Sequence, residues 1–127
     1  MSTWRHRAIE IAPELKTEFQ DPELSPFTVF MELLSVLEQA HDTNNRDRLQ
    51  KIYDYAEWCL RQKDKKLWNA AGVSFYEHLG DSNKTFPAFT HWVKRDVYVE
   101  IRELLALRLE ESKMDTLDMF YGLKKDK

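Results

Sequence analysis

Residues 64–80 read DKKLWNAAGVSFYEHLG and predict a helix that is apolar or small on almost every side. At 100° per residue, Ala70 and Val73 lie opposite a broad apolar arc formed by Leu67, Trp68, Ala71, Phe75 and Leu79. A helix that is apolar all round has to be surrounded by other helices. We therefore predict a domain built around this helix, with Asp64 as its N-cap and Gly80 as a left-handed residue beyond its end.

Apolar residues that recur at helical spacing predict the neighbours of this central helix. They cover residues 3–19 with a break at Pro13, residues 26–42 after a Ser25 cap, residues 45–63 and residues 87–112. Residues 113–127 form a partly ordered tail, with one turn around residues 117–121 that then frays. The fold class is all-α: about five antiparallel helices in one domain, residues 1–127, as a compact bundle or a short α-solenoid like HEAT or armadillo repeats.

Composition supports this fold class and sets an expected compartment. Only 3 glycines and 4 prolines are present, fewer than a sheet protein with many turns needs. The single cysteine, Cys59, has no partner for an internal disulfide. The sequence shows neither the apolar run of a signal peptide nor a stretch of about 18 apolar residues. We expect a cytoplasmic protein with no membrane association.

Residues that carry chemistry do not form a recognisable catalytic or metal-binding pattern. No two of the four histidines, His6, His41, His78 and His91, have the spacing of a zinc-binding pair. Cys59 lies on the apolar arc of its helix, which favours a buried thiol over a nucleophile. We expect no catalytic residue, no cofactor and no metal.

Charge is distributed unevenly along the chain. Residues 1–45 carry eight acidic and three basic side chains, whereas the basic residues near residues 46–66 alternate with acidic ones. Interleaved charges are typical of a solvated helix face, so no nucleic-acid partner is expected. The acidic first third favours a basic protein partner.

Three residues of the central helix are assigned structural roles. Asn69 is a polar amide on an otherwise apolar helix, and we expect it to hydrogen-bond the backbone of a helix–helix turn. His78 falls on the apolar arc and is expected to be a hydrogen-bonded interior histidine. Phe75 is expected in the core.

The run KLWNAAGVSFYEHL at residues 66–79 resembles a motif of small bacterial helical proteins, with an Asn, small apolar residues, Val-Ser-Phe and a Glu before a closing Leu. Residues 12–16, APELK, resemble their first helix, and the helix order agrees over residues 9–110. Trp68, His78 and the longer C-terminal tail depart from the pattern. Such proteins occur as immunity proteins of toxin systems, including contact-dependent growth inhibition. The resemblance implies a cytosolic antidote that binds and blocks a cognate toxin.

Acidic side chains supply the predicted toxin-binding face, because a nuclease toxin carries a basic substrate cleft. Trp58 or Trp4 would be an aromatic anchor at its centre. The expected face comprises Glu14, Glu18, Asp21, Glu23, Glu32, Ser35, Gln39 and Asp42. The alternatives are a non-catalytic adaptor or regulatory module with another protein partner and, less favoured, an enzyme or nucleic-acid binder. A monomer or a weak homodimer is expected.

Overall fold

Pro13 interrupts the N-terminal helix where the sequence predicts. The computed structural model describes residues 2–125. Helix α1, Thr3–Ile11, is followed by a 3₁₀ turn at Pro13–Leu15 and by the short α2, Lys16–Phe19. Ala12 leaves the helical region with φ −129° and ψ 74°, because a proline disfavours helical geometry in the residue before it.

Helices α3 and α4 begin at polar N-caps, and Ser25 is the cap that the sequence predicts for α3. Helix α3 is Pro26–Asp42, and the Ser25 hydroxyl accepts a hydrogen bond from the backbone N–H of Thr28 at 3.3 Å. Helix α4 is Arg46–Leu60, and the Asn45 side chain accepts one from the N–H of Arg48 at 3.2 Å. Both caps satisfy backbone donors that have no partner inside the helix.

Helix α5 is the central helix, but it is shorter than predicted. It spans Lys65–Ser74, starts at the expected Asp64 cap and packs between α3 and α4. The prediction that it continues to Gly80 is wrong, since Phe75 leaves the helix and a 3₁₀ turn follows at Tyr76–His78. Glycine, a β-branched valine and serine precede the end, and such residues propagate a helix weakly. Trp68, predicted on the apolar arc, is 40% exposed.

Phe75 anchors an aromatic core below this helix end. Its side chain is fully buried. Its ring centroid lies 5.6 Å from that of Phe30, 6.0 Å from that of Tyr53 and 5.2 Å from that of Tyr76. The side chains of α3, α4 and the 3₁₀ turn therefore meet on one ring.

The predicted helix over residues 87–112 is two helices. Helix α6 is Phe89–Trp92 and α7 is Arg95–Ala106, separated by Val93 in an extended conformation. The Val93 carbonyl accepts a hydrogen bond from the Tyr121 hydroxyl at 2.6 Å. The Val93 carbonyl thus accepts a hydrogen bond from a distant side chain at the point where the helix is interrupted. The prediction of one continuous helix over residues 87–112 is wrong.

Residues 113–127 are predicted to contain one turn and then fray, but a ten-residue helix covers most of this segment. Helix α8, Glu111–Phe120, buries Met114, Leu117 and Asp118. The predicted frayed end includes residues 126–127, which lie outside the described residues.

Gly122 and Gly80 have different structural roles, which the sequence pattern did not distinguish. Gly122 has φ +78° and is the left-handed residue that follows the end of α8. The N–H of Leu123 donates to the carbonyl of Asp118 at 2.8 Å, which is the hydrogen bond of a Schellman cap. Gly80 is not left-handed, contrary to the prediction. A β-carbon there would lie 2.2 Å from Cδ2 of Leu109, so Gly80 is needed for close packing.

The all-α fold class is confirmed. Within residues 2–125 there are eight α-helices, two 3₁₀ turns and no strand, compared with the five or so helices predicted. None of the helices in that range is both long and apolar enough to cross a membrane.

Candidate protein-binding surface

Four of the predicted partner-binding carboxylates meet around one surface depression. Glu18, Asp21, Glu23 and Glu32 line a depression of about 320 Å³ at the junction of α2, the α2–α3 loop and α3. Among residues 2–125, none of the four takes part in a salt bridge. All four side chains are exposed. We call this group the acidic depression.

The two acidic residues at the ends of the predicted face are paired with cations. Glu14 accepts two hydrogen bonds from the Arg48 guanidinium, at 2.6 and 2.9 Å, and the pKa of Glu14 is lowered by this contact. Asp42 is in an ion pair with Lys84 at 2.6 Å. Their charges are therefore partly neutralised within the protein itself.

Ser35 and Gln39 lie on the exposed side of α3, between Glu32 and the paired Asp42. Neither lines the acidic depression. The structure thus brings together four of the eight residues predicted for this face and leaves the others along α3 or against Arg48.

An apolar depression adjoins the acidic one. Trp4, Leu24, Pro26 and Phe27 line it together with Asp64 and Lys66 at the start of α5, and its volume is about 380 Å³. Leu24 lines both depressions. Trp4, Leu24 and Phe27 are each half-buried. Neither Leu24 nor Phe27 was predicted from the sequence to belong to a site.

Arg5 fixes the geometry between these depressions. One nitrogen of its guanidinium donates to the backbone carbonyls of Phe19 at 2.7 Å and Asp21 at 2.6 Å. These contacts tie α1 to the end of α2. The acidic depression is therefore held against α1 by a cation whose hydrogen bonds go to the backbone, not to the carboxylates.

Trp58 lies apart from the acidic depression. Its indole is stacked on Tyr55, with centroids 6.3 Å apart, and the Arg7 guanidinium lies 4.4 Å above the ring. The Tyr55 hydroxyl donates to the Trp4 carbonyl at 2.9 Å. Trp58 thus contacts α1 through Arg7, and of the two predicted anchors only Trp4 lines the apolar depression beside the acidic one.

Two of the three residues assigned structural roles are placed differently from the prediction. Asn69 is half-buried and makes no side-chain hydrogen bond to residues 2–125, because its face of α5 borders a depression instead of a turn. His78 is hydrogen-bonded, to Asp81 at 3.2 Å, but its side chain is 37% exposed. The early end of α5 turns it toward the surface.

The remaining reactive side chains are held in unreactive settings. Cys59 is fully buried, and burial raises the pKa of its thiol to about 12. No group of three or more histidine, cysteine, aspartate and glutamate side chains within residues 2–125 is arranged to hold a metal ion. His41 contacts the Tyr53 hydroxyl at 3.0 Å, and burial lowers the pKa of His41.

Fold and surface together describe an all-α protein with an acidic depression next to an apolar one. The chain belongs to the family described as a domain of unknown function, DUF7674, which matches residues 5–108. The matched residues include the acidic depression and, apart from Trp4, the apolar one, and they end before α8. No curated protein and no solved structure matches the chain.

Proposed function

We propose that this protein is a cytosolic immunity protein that binds a basic bacterial toxin domain, a nuclease in our hypothesis, and blocks it without any chemical step. The observation that carries the proposal is the acidic depression, in which four exposed carboxylates without ion-pair partners among residues 2–125 meet beside an apolar surface. The resemblance of residues 66–79 to immunity proteins supports the same function.

Electrostatics favours a basic partner at this surface. A carboxylate that is ion-paired within the protein attracts a charged ligand only weakly, so Glu14 and Asp42 contribute little to binding a basic partner. The carboxylates of the acidic depression have no such pairing among residues 2–125 and keep their attraction for a cation. Complementary charge steers the encounter of two proteins and excludes partners of like charge.

The apolar depression supplies the second requirement of a tight interface. Protein interfaces concentrate binding energy in a few aromatic anchors surrounded by a polar rim. Trp4 and Phe27 are half-buried aromatic side chains, and Leu24 connects them to the acidic depression. A partner that covers both depressions would bury an apolar centre with an acidic rim on one side.

A nuclease toxin fits these two features because its substrate-binding cleft must attract phosphates. An acidic surface docked over such a cleft would neutralise it and keep the nucleic acid out. The same surface would serve an adaptor equally well if its partner were a basic protein that is not toxic, and the experiment has to separate the two.

The test is co-purification of the tagged full-length chain from cells that make it, followed by mass spectrometry of the partner. We expect a stoichiometric partner that is a lysine- and arginine-rich domain of a large secreted protein. Expressed alone, that domain should arrest bacterial growth, and co-expression of this chain should restore growth. A basic partner that has no effect on growth would support the adaptor and contradict the immunity function.

A charge reversal tests the surface itself. The double variant Glu18→Lys with Glu32→Lys should slow association with the partner roughly tenfold at low salt and less at high salt. Glu103→Lys is the single-site control, because Glu103 is 93% exposed on α7 and lies outside both depressions. An unchanged association rate in the double variant would exclude the acidic depression as the binding surface.

A further inference from the structure

Met31 is the most exposed apolar side chain of α3, and it lines neither the acidic nor the apolar depression. It is 64% exposed and lies one helical turn beyond Phe27. Residues four apart on a helix lie on the same face. Met31 therefore projects into solvent beside the apolar depression, one wall of which is formed by Phe27.

A projecting apolar side chain next to an apolar depression makes this surface complementary to a second copy of itself. In an association about a two-fold axis each contact occurs twice, with the roles of the two copies exchanged. Two α3 helices that cross antiparallel at this point place Met31 of each copy opposite Phe27 of the other. Each methionine then enters the apolar depression of the other copy and is removed from water.

The wall of the apolar depression that the start of α5 forms carries a net positive charge. Residues 63–66 read KDKK and are all exposed, so three lysines face one aspartate at this wall and leave a charge of +2. Within residues 2–125 none of these side chains is in a salt bridge. The Asp64 carboxylate accepts a hydrogen bond from the backbone N–H of Lys66 at 2.9 Å as the cap of α5. An anionic group that reaches this wall would be attracted to Lys66, which lines the depression.

The complementary negative charge lies next to Met31. Glu32 follows Met31 in α3 and lines the acidic depression together with three other exposed carboxylates. Arg5 offsets at most one of these four charges, because its guanidinium donates to backbone carbonyls. When Met31 enters the second copy's apolar depression, Glu32 approaches the wall that carries Lys66 there. Opposite charges then meet twice across the axis.

We infer that two copies of this chain associate about a two-fold axis through the N-terminal half of α3: Met31 of each copy occupies the apolar depression of the other, and Glu32 of each faces Lys66 of the other. A second copy is the occupant that this surface fits, because one surface carries the projecting side chain, the depression that receives it and both signs of charge. The inference does not depend on the proposed function. Where the proposed function also holds, the second copy and the toxin would exclude one another, since both would cover the same surface.

The experiment is sedimentation velocity of the purified full-length protein over a concentration series at low and at high salt. We expect a reversible equilibrium that reaches twice the monomer mass with no larger species, and that shifts toward the monomer at high salt. Met31→Asp should raise the dissociation constant of the dimer at least about tenfold. Leu107→Asp is the matched control, because Leu107 is 79% exposed at the end of α7 and lies outside both depressions, and it should leave the equilibrium unchanged.

A charge exchange tests the pairing across the axis. Glu32→Lys and Lys66→Glu, made separately, should each raise the dissociation constant about tenfold at low salt. The double variant with both changes restores opposite charges at each contact, so its dissociation constant should return to within about threefold of that of the wild type. Circular dichroism checks that each variant is folded.

Three outcomes overturn the inference: a monomer at every concentration, loss of the dimer in Leu107→Asp, or a double charge variant that is no better than its single variants. Each of them concerns the protein alone, in the absence of any toxin. The proposed function would stand in all three cases, because co-purification tests it separately.

Discussion

Two buried clusters hold this domain together, and they do so by different physics. The cluster around Phe75 joins α3, α4 and the end of α5 through aromatic rings. The cluster around Asp118 joins α7 to α8 through a buried carboxylate that accepts hydrogen bonds from the Tyr98 hydroxyl and the Arg102 guanidinium. We refer to them as the aromatic core and the carboxylate clamp.

The difference teaches how each region responds to change. In the aromatic core each contact contributes a small favourable free energy of apolar burial, and the loss of one ring leaves a cavity. In the carboxylate clamp two donors share one acceptor, so the loss of Asp118 would leave the buried Tyr98 hydroxyl and the half-buried Arg102 guanidinium without it. Tyr121 adds an aromatic contact to the clamp, stacked on Tyr98 with centroids 4.4 Å apart.

The largest effect is expected in the aromatic core. Phe75→Ala removes a fully buried ring from three aromatic neighbours and should lower the free energy of unfolding by about 3–5 kcal/mol. Urea unfolding followed by circular dichroism measures this change. Phe120→Ala is the matched control at a ring that is 62% exposed, and it should cost less than about 1 kcal/mol. Equal losses in both variants would refute the aromatic core as the main source of stability.

A second loss is expected in the carboxylate clamp. Asp118→Ala leaves the buried Tyr98 hydroxyl and the half-buried Arg102 without their acceptor, and should lower the free energy of unfolding by about 2–3 kcal/mol. Asp115→Ala, which removes only a surface ion pair with Lys124, is the control and should cost less than about 1 kcal/mol. If Asp118→Ala were as mild as its control, the clamp would contribute nothing to holding α8.

Gly80 tests the junction between the two regions. The Lys113 ammonium on α8 donates to the Gly80 carbonyl at 3.0 Å, and Leu109 packs against the glycine. Gly80→Ala should therefore cost about 1–3 kcal/mol through overpacking. The double variant with Leu109→Ala makes room for the new methyl group, so the two changes should be less than additive in urea unfolding. Strict additivity would mean that the close contact at Gly80 carries no energy.

The smallest effect concerns pH. Hydrogen bonds from Arg102 lower the pKa of Asp118 below its ordinary value of 3.8. Because the folded-state pKa is depressed, the clamp contributes its full stability above about pH 4 and loses it as the pH falls toward the folded-state pKa. Asp118→Asn should therefore flatten the fall of unfolding free energy below about pH 4. An acid profile as steep as that of the wild type would contradict this assignment.

The aromatic core was largely predictable from the sequence, and the carboxylate clamp was not. Ser25 and Asn45 mark the helix starts by local cap chemistry, and the apolar spacing of α3 predicts its buried side. Asp118 gives no such signal, because an isolated aspartate on a polar helix is normally exposed. Its burial depends on Arg102 and Tyr98, which belong to a different helix.

The same limit explains the candidate surface. Local charge counting found the acidic side chains of residues 1–45, but it did not predict that Arg48 would neutralise Glu14 from 34 residues away. The break at Val93 also depends on a distant partner, the Tyr121 hydroxyl. Contacts within one helix turn leave a periodic pattern in the sequence, whereas contacts between distant residues do not.

Cys59 gives the protein a built-in reporter of these differences. It is the only cysteine of the chain, it is fully buried, and its thiol stays protonated at neutral pH. Alkylating reagents react with the thiolate, so labelling has to wait for the structure to open around α4. The rate of Cys59 alkylation in native buffer therefore measures how often the structure opens around α4. It can rank the variants above by their stability without any denaturant.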